Sequence, residues 1–163
     1  MSYEETKKFL PFHRNARVTG NPIRSSIETA SREDALRFFK FSEKKKTLLI
    51  LGGSQGAESL NTLLVAALDF FSRSFKENVQ LLHLCGKMMP SEAEEKFKKA
   101  GIDGRAFSFF ERMDLAYAAA DAALGRAGAT FLAEVASRKR PVVLVPYPFG
   151  DGHQRDNAAI FAR

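Results

Sequence analysis

One cysteine, Cys85, stands in 163 residues. No internal disulfide framework can therefore hold the fold, and the chain suits a reducing, cytoplasmic compartment. The opening residues Met1-Ser2-Tyr3-Glu4-Glu5 are acidic and polar, unlike the start of a secretory signal. Long hydrophobic runs are also lacking, because Asp69 and Asp121 interrupt the most apolar stretches. These fall well short of the roughly 20 residues that a spanning helix requires, so any membrane contact is expected to be peripheral. Zinc-ligand spacing is absent, as are the aromatic signatures of RNA-binding modules and any Ser–His–Asp arrangement. There is no repeat of domain-building length and no low-complexity tract.

What is present is an ordinary globular composition, 45% hydrophobic and 27% charged, long enough for a real core. The net charge of +6 favours anionic partners, whether nucleotide phosphates, nucleic acid or an acidic membrane, and does not choose among them.

The order of elements is more informative. Residues 1–17 carry no clear periodicity and read as a tail or linker stump. Val18–Pro22 reads as a short strand entering a turn. Ser31 reads as the N-cap of a helix that reaches about Lys40, with Asp34 completing an approximate capping box. From Lys46 onward, strands predicted at 47–51, 79–84, 106–110, 122–124 and 141–145 alternate with helices. Those helices are expected over 56–72, from Pro90 to near Gly101, from Met113 to Ala120, over 128–137 and from His153. Strands apolar on both faces and separated by helices predict an α/β fold, a doubly wound, Rossmann-like parallel sheet. The sequence stops inside or just after a helix at Arg163 and reads as a piece of a longer chain.

In such a sheet, ligands sit beyond the carboxyl ends of the strands. The segments 52–56, 109–113, 126–130 and 146–154 all fall at that edge. After the first strand, Gly52-Gly53-Ser54-Gln55-Gly56-Ala57 lacks the first glycine of a dinucleotide fingerprint, since Leu51 stands there. It also lacks the lysine of a P-loop. Two readings remain: a diphosphate cradle formed by Ser54, Gln55, Gly56 and a helix N-terminus, or a tight turn without a ligand. In the second turn, Thr130 and Glu134 are one helical turn apart. A carboxylate there is able to accept both hydroxyls of a ribose. Its neighbours Phe131, Leu132, Ala133 and Val135 bury the helix, so Glu134 needs a partner.

Phe109-Phe110 offers either an aromatic against a uracil ring or two core residues in a chain with 15 phenylalanines. His153 and Gln154, at a helix start, suit sugar hydroxyls. His83 and Cys85 share a strand face without a second ligand pair, so no metal site is expected.

Taken together, Val18–Arg24, Gly52–Ala57, Arg126–Thr130 with Glu134, and His153-Gln154 with Asn157-Ala158 occur in the order and spacing of one known family. Across residues 18–163 the chain resembles the C-terminal, donor-binding half of the MurG family. These are the UDP-N-acetylglucosamine (UDP-GlcNAc) transferases of bacterial peptidoglycan synthesis, and their fold is of the GT-B type. The resemblance implies that Arg24 and Ser54 approach the diphosphate, and that backbone at Phe110 recognises uracil. It implies that Gly128, Ala129 and nearby backbone contact diphosphate and ribose, that Glu134 binds the ribose diol, and that His153 and Gln154 bind the sugar hydroxyls. Phe131 stands where members often carry a small or hydroxyl residue, which implies that one diphosphate contact is either lost or shifted to Thr130. Phe110 is bulkier than the usual aliphatic residue. The implied reaction moves GlcNAc to the muramoyl sugar of lipid I, with inversion, at the inner face of the cell membrane. It uses no metal or cofactor.

Acceptor binding and the base belong, in the family, to an N-terminal domain that these 163 residues do not include. No catalytic residue is therefore expected here, and donor binding without transfer is. Two alternatives remain open: a nucleotide-sugar-binding subunit that meets a membrane-attached partner, and a basic module that binds nucleic acid.

Overall fold

The computed structural model describes residues 15–52, 58–148 and 152–162. Five strands form one sheet: β1 Lys46–Leu51, β2 Val79–Leu84, β3 Asp103–Phe107, β4 Ala122–Gly125 and β5 Val142–Leu144. Every pairing is parallel and the spatial order is β3-β2-β1-β4-β5. This is the doubly wound arrangement. Strand order reverses between β1 and β4, where Leu48 faces Ala122 and Leu51 faces Gly125. A crevice opens at such a reversal, outside the carboxyl ends of the two strands.

The period of two along a strand divides the apolar runs between two cores. Leu49, Leu51 and Leu82 enter one cluster with Ile27, Leu36, Phe39, Tyr117 and Val135. Ile50 and Leu81 enter the other with Leu64, Leu68, Phe97 and Ile102. Helices α1 Ser25–Thr29, α2 Arg32–Phe39, α6 Met113–Ala119 and α7 Ala129–Ser137 cover the first face. Helices α3 Glu58–Leu68 and α5 Pro90–Ala100 cover the second. The remaining helices are α4 Arg73–Asn78 and α8 His153–Phe161.

Helix boundaries follow local chemistry. Ser31 Oγ accepts from the Asp34 amide at 3.3 Å and starts α2, which Lys40 ends in the left-handed region. Pro90 opens α5 and Gly101, at φ +75°, closes it.

Three expectations need correction. Val18–Pro22 is not a strand: the segment is irregular and leads into α1, anchored by the fully buried Ile27. The helix expected over 56–72 ends at Leu68, and Ser72 Oγ caps a separate α4 by accepting from the Phe75 amide at 3.2 Å. The third strand is Asp103–Phe107 rather than 106–110. Gly104 disguises it, because glycine weakens a strand reading. Glycine is nevertheless required there, since a Cβ would collide with the Phe97 ring. On α5, Lys96 pairs with Glu92 at 2.7 Å, and Glu94 accepts from the Ala106 amide at 3.0 Å.

Candidate functional site

The apolar strand β1 ends at Leu51, and Gly52 begins the turn beyond it. Ser54, Gln55 and Gly56 lie outside the described residues. At the neighbouring carboxyl end, β4 runs through Gly125 into Arg126-Ala127-Gly128. A Cβ on Gly125 would lie 2.9 Å from both the Leu51 carbonyl oxygen and the Phe131 ring, so only glycine admits Phe131 here. That accounts for the unusual aromatic on α7: its ring lies over the strand end and joins the core cluster.

Arg126 ties the rim together. It is 8% exposed and donates through Nη1 to the carbonyls of Val145 at 3.0 Å and Pro146 at 3.1 Å. Its Nη2 donates to Ser59 Oγ, in the first turn of α3. Its guanidinium carbon lies 5.4 Å from the Tyr147 ring centroid. One side chain thus joins the ends of β4 and β5 to the start of α3. The sequence places Arg126 in the Arg126–Thr130 motif without marking a role for it. Its place directly after an apolar strand, at the start of a glycine-containing turn, is the available signal.

Gly128 is the N-cap of α7, and open space lies where its Cβ would be. Ala129 opens the helix and Thr130 is exposed. Asn21 Nδ2 reaches Thr130 Oγ1 at 3.5 Å. The Ala127 carbonyl accepts from Asn157 Nδ2 of α8 at 3.0 Å.

Glu134, half-buried on α7, has the partner its burial requires: Tyr117 Oη donates to Glu134 Oε2 at 2.8 Å. Burial pushes the Tyr117 phenol far above its ordinary range. The adjacent Glu134 charge and this hydrogen bond push the same way, and the positive charge of Arg24 opposes them. Arg24, at the N-cap of α1, is exposed, and its field reaches this pair. Arg138, the C-cap of α7, ties that helix to α1 by donating to the Glu28 carbonyl at 2.7 Å.

The loop after β3 separates its two aromatics. The Phe110 ring packs with Phe107 at 4.8 Å and Phe39 at 5.3 Å between centroids, within the core cluster. Phe109 is 78% exposed. The bulk of Phe110 is therefore taken up by the core, leaving its backbone at the rim. Asp114 forms a fork with Arg112, at 3.0 Å from Nε and 2.9 Å from Nη2, and this steadies the turn into α6. The fork holds the Asp114 carboxyl below its ordinary range.

Gly152, at φ +76°, caps α8, where His153 is exposed. Gln154 Oε1 accepts from the Tyr147 amide at 2.9 Å. That oxygen is committed to shaping the loop, so the side chain offers a ligand its Nε2 donor. Residues 149–151 are outside the described set.

A contact path thus runs from α3 through Arg126 to the β5 loop and Gln154; separately, Asn21 meets Thr130 and Tyr117 meets Glu134 within the field of Arg24. A groove of about 410 Å³ between β5 and α8, lined by Arg140, Pro141, Val142, Leu144, Ala158, Phe161 and Ala162, lies toward the opposite end of β5. Its lining has none of this chemistry.

Residues 47–163 match the glycosyltransferase family 28 C-terminal domain. A relative from Parabacteroides distasonis is 40% identical over 162 residues, covering 97% of this chain and 43% of its own length. One from Halothermothrix orenii is 38% identical over 148 residues, covering 86% of this chain and 39% of its own length. Both are named UDP-N-acetylglucosamine–N-acetylmuramyl-(pentapeptide) pyrophosphoryl-undecaprenol N-acetylglucosamine transferase. The chain thus spans about two fifths of these relatives. Among solved structures, Acinetobacter baumannii MurG superposes with a TM-score of 0.63 at 27% identity, over 92% of this chain and 42% of that one. WaaG, a glycosyltransferase of lipopolysaccharide biosynthesis, shares the fold at a TM-score of 0.54 and 19% identity, over 83% of this chain and 43% of its own.

Proposed function

The chain belongs to glycosyltransferase family 28, as its C-terminal domain, and from that premise we propose that residues 18–163 are the donor-binding half of a transferase that moves GlcNAc from UDP-GlcNAc to the muramoyl sugar of lipid I. The observation that supports this most is topological. Two glycine-containing turns follow β1 and β4 at the point where strand order reverses, and the second opens the helix that carries Glu134. Nucleotides bind at such a reversal in open α/β sheets.

In this reading Ser54, Gln55 and Gly56 hold the diphosphate with the N-terminus of α3. Gly128, Ala129 and Thr130 approach it from α7, and Arg24 adds positive charge. Glu134 accepts from the ribose hydroxyls, backbone at Phe110 reads the uracil edge, and His153 and Gln154 meet the GlcNAc hydroxyls. Inverting displacement at the anomeric carbon sends negative charge onto the departing UDP. Fixed amide dipoles and Arg24 stabilise that charge as it develops, with no reorganisation needed at the moment of reaction.

The acceptor hydroxyl must also lose a proton. The group that takes it, and the surface that holds lipid I, belong in this reading to the part of the enzyme beyond these residues. This chain then binds donor and does not transfer it. No helix among the described residues is long and apolar enough to cross a membrane, and the proposed whole enzyme meets its lipid-linked acceptor at the inner membrane face as a peripheral protein.

Calorimetric titration tests the reading, with UDP-GlcNAc, UDP, UMP and ADP-glucose as ligands. UDP-GlcNAc and UDP are expected to bind more tightly than UMP, and ADP-glucose not to bind. Equal binding of the adenine and uracil nucleotides, or heat from neither, overturns it.

A further inference from the structure

We propose that Tyr117 is a positioning residue for nucleotide binding: its hydroxyl, donated to Glu134 Oε2 at 2.8 Å, holds the carboxylate in the orientation that accepts both hydroxyls of a ribose. The proposal rests on reading Glu134 as the ribose ligand.

The geometry carries the argument. A glutamate on a helix has three side-chain torsions, and ordering them on ligand binding costs affinity. Here one oxygen of the carboxylate is already anchored before a ligand arrives. The anchor is itself rigid. The Tyr117 residue is 2% exposed, and its helix neighbours Ala116, Ala118 and Ala119 are fully buried, so core packing fixes where the phenol oxygen lies. An ionised carboxylate has about four acceptor positions. Tyr117 occupies one, and those left over suffice for a cis-diol.

The phenol also suits the task chemically. Its shift far above the ordinary tyrosine range keeps it protonated, and hence a donor, throughout the neutral range. An ammonium or guanidinium at the same place would neutralise the carboxylate that the diol needs. Phenol orients it and leaves its charge in place.

The arrangement further links two parts of the site. Tyr117 belongs to α6, which begins at Met113 directly after the loop bearing Phe109 and Phe110. Glu134 belongs to α7, which begins at the second glycine turn. The Tyr117–Glu134 hydrogen bond thus sets the ribose ligand relative to the base-reading loop, where one misplaced group would spoil the fit of a single nucleoside.

Tyr117→Phe removes one oxygen and keeps the buried ring. Titrations of the wild-type chain and this variant with UDP and with 2′-deoxy-UDP isolate the role. The variant is expected to bind UDP about tenfold more weakly, the effect of one lost charge-assisted hydrogen bond, and 2′-deoxy-UDP less than about twofold more weakly. In a Glu134→Ala background the same substitution is expected to change neither affinity. Equal losses for both nucleotides, or no loss for either, overturn the positioning role.

A measurement on the unmodified protein stands beside these, independent of how the variant folds. The chain has three tyrosines, and with ring-labelled tyrosine the Tyr117 resonance is expected to move on adding UDP and far less on adding 2′-deoxy-UDP. Identical movement with both refutes the role. Wild-type protein that binds neither nucleotide overturns the donor reading itself. Intact ribose-dependent binding without sensitivity to Tyr117 overturns only the present proposal.

Discussion

Two buried polar pairs in this molecule look alike on paper and end differently. On one side of the sheet, His83 Nε2 lies 3.0 Å from Asn61 Oδ1, and Asn61 Nδ2 donates to the Cys85 carbonyl at 2.8 Å. On the other, Tyr117 donates to Glu134. Each pair joins a titratable group to a hydrogen-bonding partner across two elements. The first is sealed: His83 is 1% exposed and Asn61 5%. The second opens onto the strand-end rim, where Glu134 is half-buried. The sealed pair spends its Nε2–Asn61 contact within the fold, and the buried His83 Nδ1 has no hydrogen-bond partner among the described residues. A pair with one open end keeps acceptor capacity for a ligand. The placement of the residues, more than their types, separates structure from chemistry.

The largest expected effect tests the sealed pair. Burial lowers the His83 pKa from 6.5 to about 4, so the folded imidazole stays neutral where the unfolded one is protonated. Above pH 6.5 both states are neutral and the group has no effect on stability. As pH falls from 6.5 to about 4, the unfolded chain binds the extra proton and stability drops. The total loss is about 3 kcal/mol and is complete below the folded pKa. Urea unfolding at pH 7 and pH 4.5 checks this against His83→Gln, whose side chain does not titrate. The variant is expected to lose about 2–3 kcal/mol less between the two pH values. An identical loss in both proteins shows that His83 is not shielded as its burial implies.

The open pair predicts the opposite signature. Glu134→Ala is expected to weaken UDP binding by about 2 kcal/mol, roughly thirtyfold. The thermal midpoint without ligand should fall only modestly, by the cost of leaving one buried phenol donor without its partner. A large drop in the midpoint with unchanged UDP affinity would make Glu134 a structural residue like Asn61, and the contrast between the pairs would disappear.

How far the sequence makes this contrast visible depends on the range of the interactions. The strand–helix alternation, the Ser31 cap and the Pro90-to-Gly101 helix are local, and each is readable from a few adjacent residues. The need of Glu134 for a partner is also legible, because its helix neighbours are apolar. The identity of that partner is not. Tyr117 lies 17 residues away on another helix, and only the packing of α6 and α7 against α1 in a shared core brings it there. Arg126 reaches Ser59, 67 residues distant, for the same tertiary reason. The third strand is misplaced because Gly104 carries a packing requirement set by Phe97, and a glycine in sequence looks like a break. That error in turn hides the fate of the two aromatics after it.

Those aromatics supply the smallest expected effect and carry the comparison to adjacent residues. With β3 ending at Phe107, Phe109 and Phe110 lie in a turn, where no sheet face governs them. Phe110 faces the Phe39 and Phe107 rings, whereas Phe109 is 78% exposed beside it. A large ring left in water at the edge where the nucleotide is proposed to bind gains from covering a base, since an aromatic contact of that kind contributes about 1–3 kcal/mol. Phe109→Ala is therefore expected to leave unfolding within about 0.5 kcal/mol of wild type. It should weaken UDP and uridine binding together by about fivefold, or 1 kcal/mol. Because the contact is with the base, the loss should be equal for ribose and 2′-deoxyribose nucleotides, unlike that of Tyr117→Phe. If Phe109→Ala instead erased the preference for ribose, the base-side and sugar-side roles assigned to the α6 loop and to α7 would have to be exchanged.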